Sequence, residues 1–494
     1  MTNIDLSPLF MALQSKGVDN FLHKWDQKCQ SKKIDLLLVG GCLRDAALRI
    51  EKEKIDLDFI IRPHHKTVEA TKILCKILQC HFFALDEKRN IYRIQLDTLQ
   101  FDINGMRGTE LIDDVFLRDF SINSLCLPLR VFLTHMDQAN TRVPIIDLFQ
   151  GVQDLQIRQV RAHNPFTFEE DPIRIIRAYR IASQIQGTID PSTYHQMIAS
   201  KQRIKQCATE RIREEMLKIL SNQTSHRWIF AMEETGILSC FFPFFDWYAK
   251  IDQCYTSWLQ LKDHVKAGLK YIEGIFQRIH AGDFPHAEKL QCLLRSEIIP
   301  GVTKEVLMKI GILLHDIGKP DTLTVEKNRL RFFEHENVGV KASREYLQDM
   351  HFSTKEIHFV TDLIQWHMRP HNLSNIENLS QRAQYRFFRD TSSHSIEILL
   401  IALADAYATR MVPLKNLPQY EQFIERMLNY AYTPGVLHQT PLLNGHDIMK
   451  ISGLPSSKEI GDMHKKILEE QTLGNITSRE EAEEWIKKIK NTRN

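Results

Sequence analysis

Apolar and polar residues are arranged in short blocks through the first third of the chain, then shift to a helical rhythm that lasts to the end. Leu36-Leu37-Leu38-Val39 is an apolar run closed by Gly40-Gly41, and Leu57–Ile61 is a second run opened by Ile55-Asp56. Short aliphatic runs bounded by glycine or polar residues predict strands rather than helices. The same pattern predicts strands at Tyr92–Leu96 and Leu99–Ile103, a helix near Thr67–Leu78, and a helix within residues 1–30 leading into the first strand. This is an α+β head. After about Pro165 the periodicity is helical, with Arg174, Arg177 and Arg180 on one helix. The tract Arg278–Pro300 carries scattered Gly and Pro and reads as a boundary or insertion. A last helical piece runs from Pro441 to Lys490, punctuated by Gly445, Gly453 and Gly461. The expected domains are residues 1–160 (head), 161–245 (helical neck and body), 246–415 (an all-α domain) and 416–494 (a helical tail). No internal repeat is evident.

The junction of the first two strands carries the first chemical signal. Strand side chains alternate faces, so Asp56 and Asp58 share one face while Leu57 and Phe59 take the other. Two carboxylates about 7 Å apart along a strand can hold a pair of divalent cations. Glycines ending a strand let the backbone approach a phosphate closely. Asp-x-Asp alone is most often a solvated strand end, and Gly-Gly alone a turn. Together at this spacing they form a kit for handling a nucleoside triphosphate with metals.

Composition narrows the setting. The 494 residues are 43% hydrophobic and 26% charged, the balance of an ordinary soluble protein. A net charge of +2 means that any nucleic acid must be held by local basic patches. Nine cysteines without a Cys-x-x-Cys fit a reducing compartment, and Cys75 and Cys80 read as packing. With no apolar leader and no run long enough to span a bilayer, a cytoplasmic protein with no membrane association is expected.

These residues bring a family into view. The chain resembles, over nearly its whole length, the class II tRNA nucleotidyltransferases and bacterial poly(A) polymerases. The first motif stands as Gly40-Gly41-Cys42-Leu43-Arg44-Asp45 with Asp56 and Asp58. The resemblance implies a polymerase-beta-like head of mixed sheet and helices, with Asp56 and Asp58 as catalytic Mg²⁺ ligands and Asp102 as a third carboxylate. It implies nucleotide contacts from Gly40, Gly41, Arg44, Arg118, Asp119 and Asn123, the last three within Leu117-Arg118-Asp119-Phe120-Ser121-Ile122-Asn123. Leu117 replaces an arginine of the family pattern there. In Asp147–Leu155, Gln150 replaces a glycine at the expected joint between head and neck. Glu170-Asp171-Pro172-Ile173-Arg174 matches the block that selects the base, with Arg177 and Arg180 further along its helix. Asp171 and Arg174 would be neighbours on one helical face. An Asp accepts from an exocyclic amine while an Arg donates to a ring nitrogen or carbonyl, so the pair can choose C and A over U and G without a template. Glu210–Met216 resembles the helix that supports this pocket.

A second signal is Leu313-Leu314-His315-Asp316-Ile317-Gly318-Lys319-Pro320, in which His and Asp follow an apolar helix face. It resembles the HD phosphohydrolase superfamily. That resemblance implies a metal site of His264, His315, Asp316 and Asp405, with His335 and His367 serving a second metal or a substrate phosphate. His280 and His286 compete with His264 for the upstream position. Imidazole ligands favour Mn²⁺, Ni²⁺ or Zn²⁺. His446-Asp447 lacks the preceding apolar helix and is not expected to form another such site.

The expected function is template-independent addition of CCA to tRNA 3′ ends from CTP and ATP by two-metal transfer, with an HD-domain phosphatase or phosphodiesterase beside it. The alternative is an A-adding enzyme or a poly(A) polymerase, with specificity depending on the loop between Arg62 and Gln100. The sequence leaves the oligomeric state open.

Overall fold

A computed structural model describes residues 2–51, 54–248, 261–326, 329–409, 417–434 and 440–491. The chain divides into two compact units, residues 1–222 with 231–241, and residues 223–230 with 242–494.

The first unit is built on a six-stranded mixed sheet. Its strands, with β1 (Thr2–Asp5) and β8 (Arg142–Ile145) pairing separately, are β2 (Asp35–Val39), β3 (Ile55–Arg62), β4 (Phe83–Asp86), β5 (Ile91–Gln95), β6 (Leu99–Gly105) and β7 (Cys126–Pro128). The spatial order is β4-β5-β6-β3-β2-β7, and β3 runs parallel to β6 while the other neighbours are antiparallel. In β6 the alternation is strict, with Leu99, Phe101, Ile103 and Gly105 buried between half-buried polar positions. β3 breaks it after Phe59, because Ile60 and Ile61 are also buried in the centre of the sheet.

Two helices, Asp19–Ser31 and Thr67–Leu78, pack on the sheet through Trp25. The Trp25 ring meets Phe59 edge-on at 4.9 Å, and its indole N–H donates to the Ala70 carbonyl at 2.9 Å. The single expected N-terminal helix is in fact a strand and two helices, Ser7–Ser15 and Asp19–Ser31, broken at Gly17 with φ +64°. Gln150 has φ +60°, the left-handed conformation that the family's glycine adopts more cheaply. The turn keeps its shape because the Asp147 carboxylate accepts from the N–H groups of Gly151 and Val152 at 2.8 and 2.9 Å. The helical part of this unit includes Arg174–Ile185, Pro191–Ser200 and Thr209–Leu220.

The second unit is mainly helical. Leu261–His280, Lys304–Leu314, Thr354–Trp366 and Ser395–Ala408 form its core. It is not wholly helical, since Leu323–Glu326 and Arg329–Phe332 form an antiparallel hairpin. Nor is Arg278–Pro300 an insertion: the helix Ala287–Arg295 buries Leu290 and Leu294 beside the helices that flank it. Three tail helices, Gly445–Ser452, Lys458–Thr472 and Arg479–Asn491, share their own core of Leu443, Ile448, Ile460, Met463, Ile467 and Ile486. Buried Glu469 ties this core to the helix Gln381–Thr391 by pairing with Arg386 and Arg389, each at 2.8 Å. Asp447 caps its own helix through Asn444 and pairs with Arg479, so it serves structure. Among the described residues no helix is long and apolar enough to cross a membrane.

Candidate functional site

One chemical cluster lies in each unit. In the first, the parallel pairing of β3 with β6 puts Asp58 opposite Asp102, and the antiparallel pairing of β5 with β6 puts Arg93 opposite Asp102. Val39 stands opposite Asp58 on the other side. The row across four strands is therefore Val39, Asp58, Asp102, Arg93. Arg93 grips Asp102 with both arms of its guanidinium, at 2.6 and 2.7 Å. Asp56 is exposed and Asp58 half-buried at the start of β3, while Leu57 and Phe59 are buried. Gly40, at the end of β2, has φ +80°, and a Cβ there would lie 3.3 Å from an Asp58 carboxylate oxygen and 3.7 Å from the Arg118 guanidinium. Glycine thus keeps open the space directly beside Asp58. Gly41 opens the following short helix, which carries Arg44.

The cationic wall is tied together by hydrogen bonds. Arg44 donates to the Asn123 side-chain carbonyl at 2.5 Å, and the Asn123 amide donates to Asp119 at 3.0 Å. Arg177 reaches Asp119 at 3.4 Å and Glu215 at 3.1 Å, and Arg180 pairs with Glu215 at 2.5 Å. Burial alone would raise the Asp119 carboxyl, but the Arg177 guanidinium and the Asn123 amide hold it below its usual range. Burial likewise opposes the Glu215 charge, and Arg180 with Arg177 reverses the effect. Glu215 belongs to the block expected to support the pocket. It does so by fixing two arginines.

Asp171 and Arg174 are not neighbours on one helix. Arg174 is the first residue of its helix, and Asp171 precedes it in an extended conformation at φ −149°, because Pro172 disfavours a helical residue before it. Asp171 is held bidentately by Arg211 at 2.7 and 3.1 Å. Arg174 donates to the Leu117 carbonyl at 3.0 Å and pairs with Glu170 at 3.2 Å. Arg93 and Arg211 had no assigned role from the sequence. Their spacing is legible only once strand register and helix packing are known.

In the second unit four imidazoles and two carboxylates converge. His264 Nε2 lies 3.2 Å from Asp316 and 3.1 Å from Asp405, and His315 Nε2 lies 3.2 Å from Asp316. The other Asp316 oxygen faces His335 Nε2 at 3.5 Å and His367 Nε2 at 3.9 Å. Two groups of donors result, His264 with His315 and Asp405, and Asp316 with His335 and His367, each compact enough to hold a metal ion. His280 and His286 are engaged elsewhere, with Glu305 at 2.9 Å and Asn429 at 2.7 Å, so His264 is the upstream histidine of the cluster.

Local structure aims these rings. His315, His335 and His367 each turn Nδ1 to a carbonyl three residues earlier, those of Ile312, Phe332 and Ile364, at 2.8, 2.9 and 2.7 Å. A donor fixed at Nδ1 leaves the Nε2 lone pair for a ligand. Gly318 admits the helix that His335 opens, since a Cβ there would come within 2.1 Å of the His335 carbonyl oxygen. Sequence reading also passed over two groups here. Lys319 pairs with Asp316 at 2.5 Å, and His371 with Asp405 at 2.8 Å.

The donor set suits a cation. Burial would raise Asp316 and Asp405, yet the surrounding imidazoles, with Lys319 at Asp316, hold both well below the usual carboxylate range. Burial would lower His315, and Asp316 with Asp405 lifts it instead to about 10. Two buried carboxylates thus demand positive charge at this point, which a divalent cation would also supply. His367, buried and beside His315 and His335, is pushed down to about 3 and stays neutral, as a metal-binding imidazole must be.

Three stretches of the chain match described families. Residues 36–161 match the poly(A) polymerase head domain, 188–248 the probable RNA- and SrmB-binding site of polymerase A, and 285–410 the HD domain. A CC-adding tRNA nucleotidyltransferase of Synechocystis sp. is 26% identical over 90% of this chain and 91% of its own length. An A-adding tRNA nucleotidyltransferase of Deinococcus radiodurans is 24% identical over 91% of this chain and 94% of its own. Among solved structures, the Thermotoga maritima CCA-adding enzyme complexed with tRNA has a TM-score of 0.61 at 18% identity, covering 98% of both chains.

The Asp58 row makes a stability prediction. Burial, then Asp102, with Asp56 adding to it, raises the Asp58 carboxyl to about 6 against the pull of Arg118 and Arg93. The folded protein holds this proton more tightly than the unfolded chain, so stability falls as pH rises from about 4 to about 6 and stays reduced above that. Asp58→Asn removes the loss. In divalent-free buffer near neutral pH its Tm should exceed that of the wild type by roughly 2–4 °C, and the gap should vanish below about pH 4. Thermal melts across pH check this; a less stable variant at neutral pH would show that burial and Asp102 do not disfavour the Asp58 charge.

Proposed function

We propose that this chain, which belongs to the family of tRNA nucleotidyltransferases and bacterial poly(A) polymerases carrying an HD domain, adds C and A residues to tRNA 3′ ends from CTP and ATP without a template. The observation that carries the reading is Asp58 beside Asp102, with Gly40 leaving space next to them and Arg118 facing that space. Crowded carboxylates are a poor structural device and a good metal site. Mg²⁺ held by Asp56 and Asp58 would activate the RNA 3′-hydroxyl and neutralise charge on the triphosphate. Arg93 keeps the Asp102 carboxylate oriented beside Asp58. Arg44, Arg118 and the Asn123 amide offer donors for triphosphate and sugar oxygens, and Asp119, Arg177, Arg180 and Glu215 keep that wall in place.

Asp171 accepts the exocyclic amine of C or A in this reading, and Arg174 donates to the adjacent ring acceptor. Arg211 holds the Asp171 carboxylate in a set plane, while the Leu117 carbonyl and Glu170 hold Arg174. A preorganised pair rejects U and G because each would leave buried polar groups unpaired. A second reading, addition of only CC or only A, draws support from the near-full-length relatives, which include enzymes named for each.

The HD cluster is read as a phosphohydrolase site for a phosphomonoester or 2′,3′-cyclic phosphate, which would clear damaged RNA ends that lack a free 3′-hydroxyl. His264, His315, Asp316 and Asp405 would hold a transition metal such as Mn²⁺, Ni²⁺ or Zn²⁺, with His335 and His367 completing a second position. Such a metal supplies an activated water. Asp316 faces both donor groups, and Lys319 fixes one of its oxygens.

Three outcomes follow. Asp56→Ala or Asp58→Ala should lower incorporation of labelled CTP and ATP into tRNA by several orders of magnitude, with circular dichroism unchanged; retained activity at saturating Mg²⁺ contradicts the assignment. Asp171→Ala and Arg174→Ala should admit UTP and GTP, and continued rejection of both would remove the pair as selector. His315→Ala should lose bound Mn²⁺ or Ni²⁺ and any metal-stimulated phosphatase activity while nucleotide addition continues. Wild-type protein that binds neither metal and hydrolyses no phosphoester would leave the HD fold as a scaffold.

A further inference from the structure

His371 meets the HD cluster through the ring nitrogen that the other imidazoles keep for a ligand. Its Nε2 lies 2.8 Å from Asp405 Oδ2. Burial opposes the Asp405 charge, and hydrogen bonds from His264, His315 and His371 keep it ionised. An ionised carboxylate only accepts. The His371 Nε2 is therefore the donor, and it carries its proton in the neutral ring. His315, His335 and His367 are set the other way, with Nδ1 on a main-chain carbonyl and Nε2 turned to the cluster. His371 belongs to neither compact donor group. Its side chain is 18% exposed, against 6% or less for the four cluster imidazoles. It stands at the edge of the cluster as a partner of one carboxylate.

Local structure puts it there. His367 is the N-cap of the short helix Met368–Ser374, and His371 lies one turn further on the same face. From that face His367 comes within 3.2 Å of the His335 Nε2, and His371 reaches Asp405 on the helix Ser395–Ala408. The His371 ring is held against Tyr420, with centroids 5.2 Å apart and planes 21° apart. The two oxygens of Asp405 are thereby given different partners. Oδ1 lies 3.1 Å from His264 Nε2 and 3.6 Å from His315 Nε2, while Oδ2 is taken by His371. The terminal torsion of an aspartate is soft, so a carboxylate without this second bond would have to be ordered when an ion binds. A hydrogen bond to the outer oxygen sets the plane of the carboxylate beforehand.

We propose that His371 is a positioning residue of the HD cluster, its Nε2–H holding Asp405 Oδ2 so that Oδ1 faces the metal position shared with His264 and His315. This rests on the reading of the cluster as a metal site. A contact that merely braced two helices would act on both donor groups alike. Asp405 belongs to one group only, so the effect of His371 is selective.

The test titrates Mn²⁺ by calorimetry into full-length wild type, His371→Phe and His371→Gln. His264→Ala and His335→Ala assign the binding steps to the two donor groups. Phenylalanine keeps a ring against Tyr420 and loses the N–H, whereas glutamine keeps an N–H for Oδ2. Thermal melts report that each variant is folded, and His371→Leu replaces His371→Phe if the latter does not melt cooperatively. The expected result is that His371→Phe weakens, by about 10–100-fold, the step that His264→Ala abolishes. Any step that His335→Ala abolishes should be unchanged, and His371→Gln should restore most of the loss. Wild-type affinity in His371→Phe would overturn the proposal. Equal weakening of both steps would overturn it by making the contact a general brace. His371→Gln as weak as His371→Phe would remove the donated hydrogen bond as the cause. Those three outcomes leave the metal site standing. Wild type that binds no Mn²⁺ would defeat the metal reading itself and this inference with it.

Discussion

The parallel pairing of β3 with β6 is the constraint on which the head depends. It sets Asp58 directly against Asp102 in the register of a buried sheet, two like charges that folding alone would not place together. Arg93 relieves one of them from the far strand, and Arg118 approaches the other. Burial, with the Asp102 carboxylate second, raises the Asp58 carboxyl against the pull of both arginines. The glycine at the end of β2, the Asn123 bridge and the arginines tied to Glu215 all surround that point.

The HD cluster follows the same logic with different ligands. There the excess of negative charge is met in part by imidazoles aimed through their Nδ1 bonds and by Lys319. Both clusters concentrate carboxylates where apolar packing would be more stable, and both hold them with rigid elements. Strands do this in the head, helix ends in the second unit. Carboxylate oxygens alone suit Mg²⁺, and mixed imidazole and carboxylate suit a transition metal.

Much of this was legible in the sequence. The first strands, the helix Thr67–Leu78 and the alternation that places Asp56 and Asp58 on one face follow from local pattern alone. His315-Asp316 was legible because the pair follows an apolar helix face and matches the HD pattern, whereas the close approach that Gly318 permits to the His335 carbonyl is visible only in the fold. Other features were hidden because they depend on pairing between distant segments. Arg93 meets Asp102 only through the β5–β6 register, and Arg211 meets Asp171 only across packed helices. The i,i+3 reading of Asp171 and Arg174 failed because Pro172 delays the helix until Arg174. The hairpin at Leu323–Glu326 was missed because its strands are only four residues each, too short for the alternation of Leu323 and Val325, paired with Phe332 and Leu330, to stand out from a helical tract.

The central claim is that the Asp58 row and the Asp171/Arg174 pair together extend tRNA by a defined sequence. The most direct measurement is incubation of the protein with tRNAs that end before the first C, after the second C and at the mature end, each with one of the four nucleoside triphosphates. The account predicts C on the shortest tRNA, A on the one ending in CC, no U or G on either, and no growth of the mature end. Repeated A addition to every RNA would identify a poly(A) polymerase, and addition restricted to C or to A would identify half of the activity. Incorporation of none of the four nucleotides would contradict the account outright.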